Sequence, residues 1–361
     1  MKLLDLFSGI GGFHKGFEQA GFEFDWVGFS EIDRYASAVY KHNFPKAKEL
    51  GDVKSIRSDK LPKIDIITFG SPCQDFSQAS GSRSGLKGHR SSLIRESIRL
   101  ISECKPHTFI WENVKGAFSS NNGEDFWAII QAFVNIGGYR LEWELLNSRW
   151  FQVPHNRERI YLIGHLGRGS GRSVFPLRET SQSASEKPQS KVNYTIIDKK
   201  NNKKNNQSYA STLCGSGGGN SGGNHRDMDL IKVQLPTVDT RYNYGSKALN
   251  KTLEKENLGK DDIKALDLYN HKAQDICPTL TEPHHNSLRL YEKSRIRRLT
   301  PIECERLQSF PDNFTSKGVI NGEVTLISNS QRYKQLGNAV TVNVVQAIAD
   351  KLIEKHIKES K

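Results

Sequence analysis

The chain is poor in the features that mark secreted, metal-stapled or membrane proteins. Its five cysteines (Cys73, Cys104, Cys214, Cys277 and Cys304) are odd in number, no two form a C-x-x-C pair, and no histidine cluster stands beside them. This argues against a disulfide framework and against a zinc site; no metal is expected. A long apolar run is also missing, since nothing approaches the roughly 18 residues of a membrane span. The apolar residues after Lys2 are too few for a signal peptide, and Asp5 interrupts them, so the expected location is the cytoplasm. Acidic residues are in deficit, 40 against 52 Lys+Arg, for a formal net charge of +12. Such an excess favours polyanionic partners, nucleic acid first, although many basic proteins bind none.

A length of 361 residues suits two domains, or one domain with a large insertion. The first 165 or so residues alternate strand and helix signals. Met1–Phe7, Trp26–Ser30, Ile64–Gly70, Thr108–Trp111, Leu141–Leu146 and Arg159–Gly164 read as strands. Phe13, Phe17 and Ala20 recur at helical spacing up to Gly21. Ser91 or Ser92 can cap a helix carrying Ile94, Ile98 and Ile101, and Phe126–Ile136 is a helix closed by Gly137-Gly138. Strands separated by helices at this spacing imply a doubly wound, mostly parallel α/β sheet, whose ligands bind at the carboxyl ends of the strands. Gly9–Gly12, Glu31, Cys73 and Glu112 all fall at that edge. After residue 167 the composition changes. Lys199–Asn206 reads as a basic solvated loop and Gly215–Gly223 as a flexible stretch, and few long apolar patterns appear between 175 and 290. This middle part reads as an irregular, loop-rich module. Regularity returns at Arg297–Pro311, and Val342–Ile353 is an amphipathic helix.

Phe7-Ser8-Gly9-Ile10-Gly11-Gly12 follows the first strand and opens a helix. Glycines there let backbone approach a ligand, but the segment lacks a full G-x-G-x-x-G and equally fits a tight turn. Glu31 is placed to accept hydrogen bonds from ribose hydroxyls, or is a plain strand-end carboxylate. Asp52, after Gly51, is a weaker candidate for holding an adenine amino group. Pro72-Cys73-Gln74 puts a cysteine in a polar loop beyond a strand end, whereas a structural cysteine more often sits within an apolar run. Glu112 by itself fits a carboxylate paired with a nearby cation. Arg157 and Arg159, at i and i+2, share one face of a strand.

Together these segments resemble the DNA (cytosine-5)-methyltransferases. Asp5–Phe13 is similar to that family's cofactor loop, Pro72-Cys73-Gln74 to its nucleophile motif, Glu112-Asn113-Val114 to its Glu-Asn-Val and Arg157-Glu158-Arg159 to its Arg-x-Arg. Arg297–Phe314 and Gln335–Val340 are similar to its last two motifs. All stand in family order, and only about 175–290 lies outside the match. His155 stands where Gln often precedes the Arg-x-Arg, Ser91-Ser92 where a Gly is usual after Arg90, and Thr341 where Pro often follows Gly-Asn-x-Val.

The resemblance implies transfer of a methyl group from S-adenosylmethionine to C5 of a flipped-out cytosine in a specific double-stranded DNA sequence. Cys73 would add to C6, Glu112 would hydrogen-bond N3 as a protonated carboxyl, and Arg157 and Arg159 would complete the catalytic set. The cofactor would meet Phe7, Ser8, Gly9, Ile10, Gly11 and Gly12 at its methionine part. Glu31 would lie at its ribose and Asp52 at its adenine, with Ile32, Val53, Pro72, Leu93, Asn338 and Val340 completing the site. Gln74 and Ser77 would contact DNA. The expected architecture is a Rossmann-like catalytic domain of residues 1–175 plus 329–361, with a target-recognition domain at 176–328 that includes a hinge over 297–328. A monomer is expected, with a cognate restriction endonuclease as a partner by family habit. Two rivals are a tRNA cytosine-5 methyltransferase on the same fold and a catalytically silent DNA-binding protein.

Overall fold

The computed structural model describes residues 1–71, 91–118, 123–167, 173–177 and 299–359, together with the backbone of short strands between 194 and 297. Two compact units are formed. One gathers Met1–Ile56, Leu146–Arg159 and Asp239–Ser360; the other gathers Arg57–Leu145 and Ile160–Val238, with Lys361. Among the described residues no helix is long and apolar enough to cross a membrane.

In the first unit, β1 (Lys2–Leu6), β2 (Trp26–Ser30) and β3 (Lys48–Glu49) run parallel, with β2 between the other two. Parallel neighbours need crossovers, and α1 (Gly12–Gln19) and α2 (Arg34–Asn43) supply them. The apolar run of β1 is buried on both faces, with Leu3, Leu4 and Leu6 fully inaccessible, as a parallel strand covered by helices requires. Gly21 (φ 85°) follows the Ala20 C-cap of α1 in the left-handed conformation, so the sequence stop sits where expected. The same unit holds α5 (Pro301–Leu307), opened by a capping box between Thr300 and Glu303, then α6 (Asn329–Asn338) and α7 (Val342–Glu359). Ile10, Phe29, Tyr40, Phe44, Phe310, Phe314 and Leu336 form one apolar cluster within this unit. Gly16 of α1 lets α7 approach so closely that a Cβ there would lie 2.5 Å from a Val345 methyl.

In the second unit, β4 (Ile66–Gly70) and β5 (Thr108–Val114) pair in parallel, from Ile66 opposite Thr108 to Gly70 opposite Glu112. α3 (Ser91–Cys104) lies between them in sequence, and α4 (Glu124–Asn135), β6 (Tyr139–Asn147) and β8 (Glu158–Leu166) follow, with β7 (His155–Asn156) a short strand of the first unit. Glu142 on β6 is fully buried; it accepts from the Val174 and Phe175 amides and meets His165 Nε2 at 2.6 Å. Glu144 accepts from the Leu177 amide at 3.2 Å, and burial pushes its carboxyl up to about 7. The two carboxylates thus pin the segment 173–177 along β6.

The mostly parallel sheet with covering helices is the expected fold. β1 and β4 are slightly shorter than their sequence signals and β2 matches its own, whereas β6 and β8 run longer and β5 continues through Glu112 to Val114 instead of stopping at Trp111. The middle of the chain departs from the loop-rich reading. Tyr194–Ile197 pairs antiparallel with Lys204–Gln207 and with Leu230–Val233, so the last three residues of the Lys/Asn run are strand. In the first unit, Ile263–Asp267 pairs with Lys272–Gln274 and with Leu288–Glu292, which pairs with Arg295–Arg297. The described strands there are too short to print a periodic signal. Gly215–Gly223 lies outside the described residues.

Candidate functional site

The site residues of the first unit gather at the carboxyl ends of β1 and β2. After β1 the chain turns at Phe7 (φ 50°) and Gly9 (φ 55°), and Gly11 (φ 88°) caps α1 in the left-handed conformation. Both Gly11 and Gly12 lie against packed side chains; a Cβ would meet Phe44 or Val340, each at 2.5 Å. A Cβ on Gly9, by contrast, would meet nothing within 4 Å. Ser8 beside it has a buried hydroxyl with no hydrogen-bond partner. The loop is therefore tight on its inner side and open at Gly9.

Glu31 closes β2 and faces that opening. Its Oε2 accepts from the Gly9 amide at 2.9 Å, and its Oε1 accepts from Ile32 at 2.8 Å and Asp33 at 2.7 Å. Burial raises its carboxyl above the ordinary glutamate value, opposed by those three backbone donors. Ile32 beside it is 78% exposed. Ser30 Oγ donates to the Gly51 carbonyl at 2.7 Å, which brings the Asp52–Val53 turn to the same strand end. Asp52 is exposed and Val53 buried. Asn338 ends α6 and is exposed, while Val340 is packed against Gly12. These residues fit an adenosyl ligand: an acceptor carboxylate, an exposed apolar face, an open glycine and an orphaned hydroxyl lie along one edge.

Arg157 and Arg159 have different environments. Arg157 is buried and donates to the Ala339 carbonyl at 2.8 Å, whereas Arg159 is half-buried and donates to the Glu158 carbonyl at 2.8 Å. Arg157 lies between β7 and β8, whereas Arg159 is on β8 itself. Two residues that stood out as departures prove to be well used. Thr341 Oγ1 lies 2.8 Å from Ser148 Oγ and donates to Gln308 Oε1 at 2.8 Å, bonds a proline lacks. His155 is fully buried with Nδ1 3.0 Å from the Leu307 carbonyl oxygen.

Burial, reinforced by Arg157, holds the His155 imidazole far below its ordinary value, at about 3. The unfolded chain therefore takes up a proton near pH 6.5 that the folded chain refuses until about pH 3. Stability from this group is present above 6.5 and lost as pH falls, on the order of several kcal/mol across the window. His155→Gln should make the melting temperature less acid-sensitive between those limits, checked by thermal melts over the pH series. An unchanged pH slope would contradict it.

In the second unit, Glu112 lies opposite Gly70, where a Cβ would be 3.2 Å from Glu112 Oε2. Trp111 Nε1 and Asn113 Nδ2 donate to Ser71 Oγ at 3.0 and 3.4 Å. The residues flanking Glu112 thereby fix the point at which the chain leaves β4. No residue-by-residue motif pointed to Ser71 or Trp111, and only the structure shows their bond. Pro72, Cys73, Gln74 and Ser77 lie outside the described residues. Leu93 is half-buried on α3. Among the described cysteines, burial pushes Cys104 up to about 11 and Cys304 to about 12, so neither is a ready thiolate at neutral pH. No group of three or more His, Cys, Asp or Glu residues among the described ones is arranged to hold a metal ion.

A parallel sheet whose first strand ends in a glycine turn and whose second is followed by a half-buried acidic acceptor defines a Rossmann-like, methyltransferase-type fold. The chain belongs to the C-5 cytosine-specific DNA methylases, whose family model matches residues 1–354, and it is a DNA (cytosine-5)-methyltransferase. It is 33% identical to the orphan methyltransferase M.SPRI of Bacillus phage SPR, over all of this chain and 99% of the relative. It is 31% identical to the type II methyltransferase M.NlaX of Neisseria lactamica, over 97% of this chain and 96% of that one. Among solved structures, the Dnmt2 methyltransferase of S. pombe matches with a TM-score of 0.58 at 20% identity, covering 98% of both chains, which bears on the fold.

Proposed function

We propose that the enzyme methylates C5 of a flipped-out cytosine within a specific double-stranded DNA sequence, through a covalent bond between Cys73 and C6. The observation that carries this reading is the fixing of Ser71, two residues before Cys73 in sequence, by Trp111 and Asn113 on either side of Glu112. Addition of the Cys73 thiolate to C6 drives electron density toward N3. Glu112, protonated when the base is bound, donates a hydrogen bond there and stabilises the charge. C5 becomes enamine-like, and the methyl sulfonium of S-adenosylmethionine supplies the electrophile. Loss of the C5 proton then expels the thiolate and regenerates Cys73. Arg159, together with Arg157, supplies positive field to the site.

Glu31 would accept the ribose hydroxyls, Ile32 would cover the adenine face and the open backbone at Gly9 would meet the methionine part, with Ser8 Oγ as a further partner. Leu93, Asp52, Val53, Asn338 and Val340 would line the remaining wall. Extruding the base costs a few kcal/mol, offset by phosphate contacts from a chain of net charge +12. Residues 176–328 would read the sequence in the major groove, with Gln74 and Ser77 near the target base. This division by function, against 1–175 plus 329–361, cuts across the two compact units. The enzyme acts as a monomer, and a restriction endonuclease is its natural partner where one is encoded alongside.

The test is methyl transfer from labelled S-adenosylmethionine to duplex DNA and to tRNA, with bisulfite sequencing of plasmid from cells expressing the enzyme. The expected result is 5-methylcytosine at one short sequence motif in DNA. Label in tRNA alone, or methylation spread without sequence preference, would overturn the reading.

A further inference from the structure

The turn that follows β2 is held from a distance of three hundred residues. Glu31 Oε1 accepts from the Ile32 and Asp33 amides. Asp33 Oδ1 caps α2 by accepting from Tyr35 at 2.9 Å and Ala36 at 3.0 Å. The other Asp33 oxygen, Oδ2, accepts from Lys334 Nζ at 2.8 Å. Lys334 stands on α6, one turn before Asn338, and the chain just beyond packs Val340 on Gly12. α6 reaches the acidic turn through Lys334, and the residues just after it reach the glycine loop through Val340.

Charge gives this contact a purpose. Glu31 and Asp33 are two carboxylates on one turn, and their repulsion works against ionisation of Glu31. Burial works to raise Asp33 as well, but the Lys334 hydrogen bond and charge help hold it below the usual carboxylate range. Asp33 is thus a compensated charge, and its two oxygens divide between the helix cap and the lysine.

We propose that Lys334 is a positioning residue for the methyl-donor site, holding Asp33 so that Glu31 and Ile32 keep one geometry toward the adenosine of S-adenosylmethionine. This rests on the reading of Glu31 as the ribose acceptor. Lys334 makes no contact with the reacting atoms in this role.

The experiment measures the calorimetric Kd of the full chain for S-adenosylmethionine and S-adenosylhomocysteine, with KM and kcat on DNA beside it. For an ion pair this accessible, Lys334→Met should raise Kd and KM about five-fold and leave kcat within about two-fold. Lys334→Arg should stay near wild type. Asp33→Asn, which keeps the helix cap, should raise Kd to a similar degree, and adding Lys334→Met to it should change nothing more. Should Lys334→Met fail to fold, Asp33→Asn alone decides by its Kd. An unchanged Kd in a folded variant, an equal loss of kcat, or full additivity of the two substitutions would overturn the proposal. Failure of the wild-type chain to bind either ligand would instead sink the reading of Glu31, and this proposal with it.

Discussion

Cys73→Ser should lose methyl transfer by at least about a thousand-fold in kcat while still binding S-adenosylmethionine. A serine hydroxyl is almost wholly protonated at neutral pH and is a far weaker nucleophile than a thiolate, so C6 addition would fail. The loss belongs in kcat because the nucleophile acts only in the chemical step. DNA carrying 5-fluorocytosine at the target base separates this from general inactivation. Fluorine cannot leave C5 as the proton does, so the wild-type enzyme should remain covalently attached and migrate with the DNA on a denaturing gel. Cys73→Ser should give no such band. Equal methylation by wild type and variant would sink the covalent mechanism, and loss of methylation with the band retained would move the nucleophile elsewhere.

The largest expected effect on stability falls at Glu305. This carboxylate is fully buried, receives the Asn313 and Thr315 amides at 2.7 and 2.8 Å, and pairs with Arg332 Nη2 at 2.9 Å. The Thr315 hydroxyl donates to the same oxygen as Arg332. Glu305→Ala strands the Arg332 guanidinium, itself only 9% exposed, and orphans two amides. Breaking a buried pair in this way costs about 3–5 kcal/mol, or roughly a 10 °C fall in melting temperature for a unit of this size. Replacing both Glu305 and Arg332 by methionine should recover part of that loss, since no uncompensated charge remains. A melting temperature within about 2 °C of wild type for Glu305→Ala would show the cluster to be energetically idle.

The parallel sheet was readable because its strands are short apolar runs bounded by glycine, proline or acid, and these signals are local. Glu31 and the glycine loop were readable for the same reason. Helix α2 was not anticipated, although Asp33 is an ordinary N-cap; its buried face is built from Ala36, Ser37 and Ala38 with Val39 and Tyr40, which prints a weak apolar stripe. Contacts between distant residues left no trace in sequence. Lys334 on Asp33, Thr341 between Ser148 and Gln308, and Arg332 on Glu305 join segments whose separation hides any periodicity. The middle strands escaped notice because two to five residues are too few to show an alternation.

The close fit of Gly16 against Val345 also bears on how the chain is made. A ribosome adding roughly 5–20 residues per second needs tens of seconds to travel between those two positions. During that time the Gly16 face of α1 lacks α7, although Phe17 can already pack on Phe22 and Phe24, and the first unit waits on its final helix. Its first strands and helices are then a natural client for holding chaperones, and final assembly of the edge at the ends of β1 and β2 becomes a late event, completed only after α6 and α7 have left the exit tunnel.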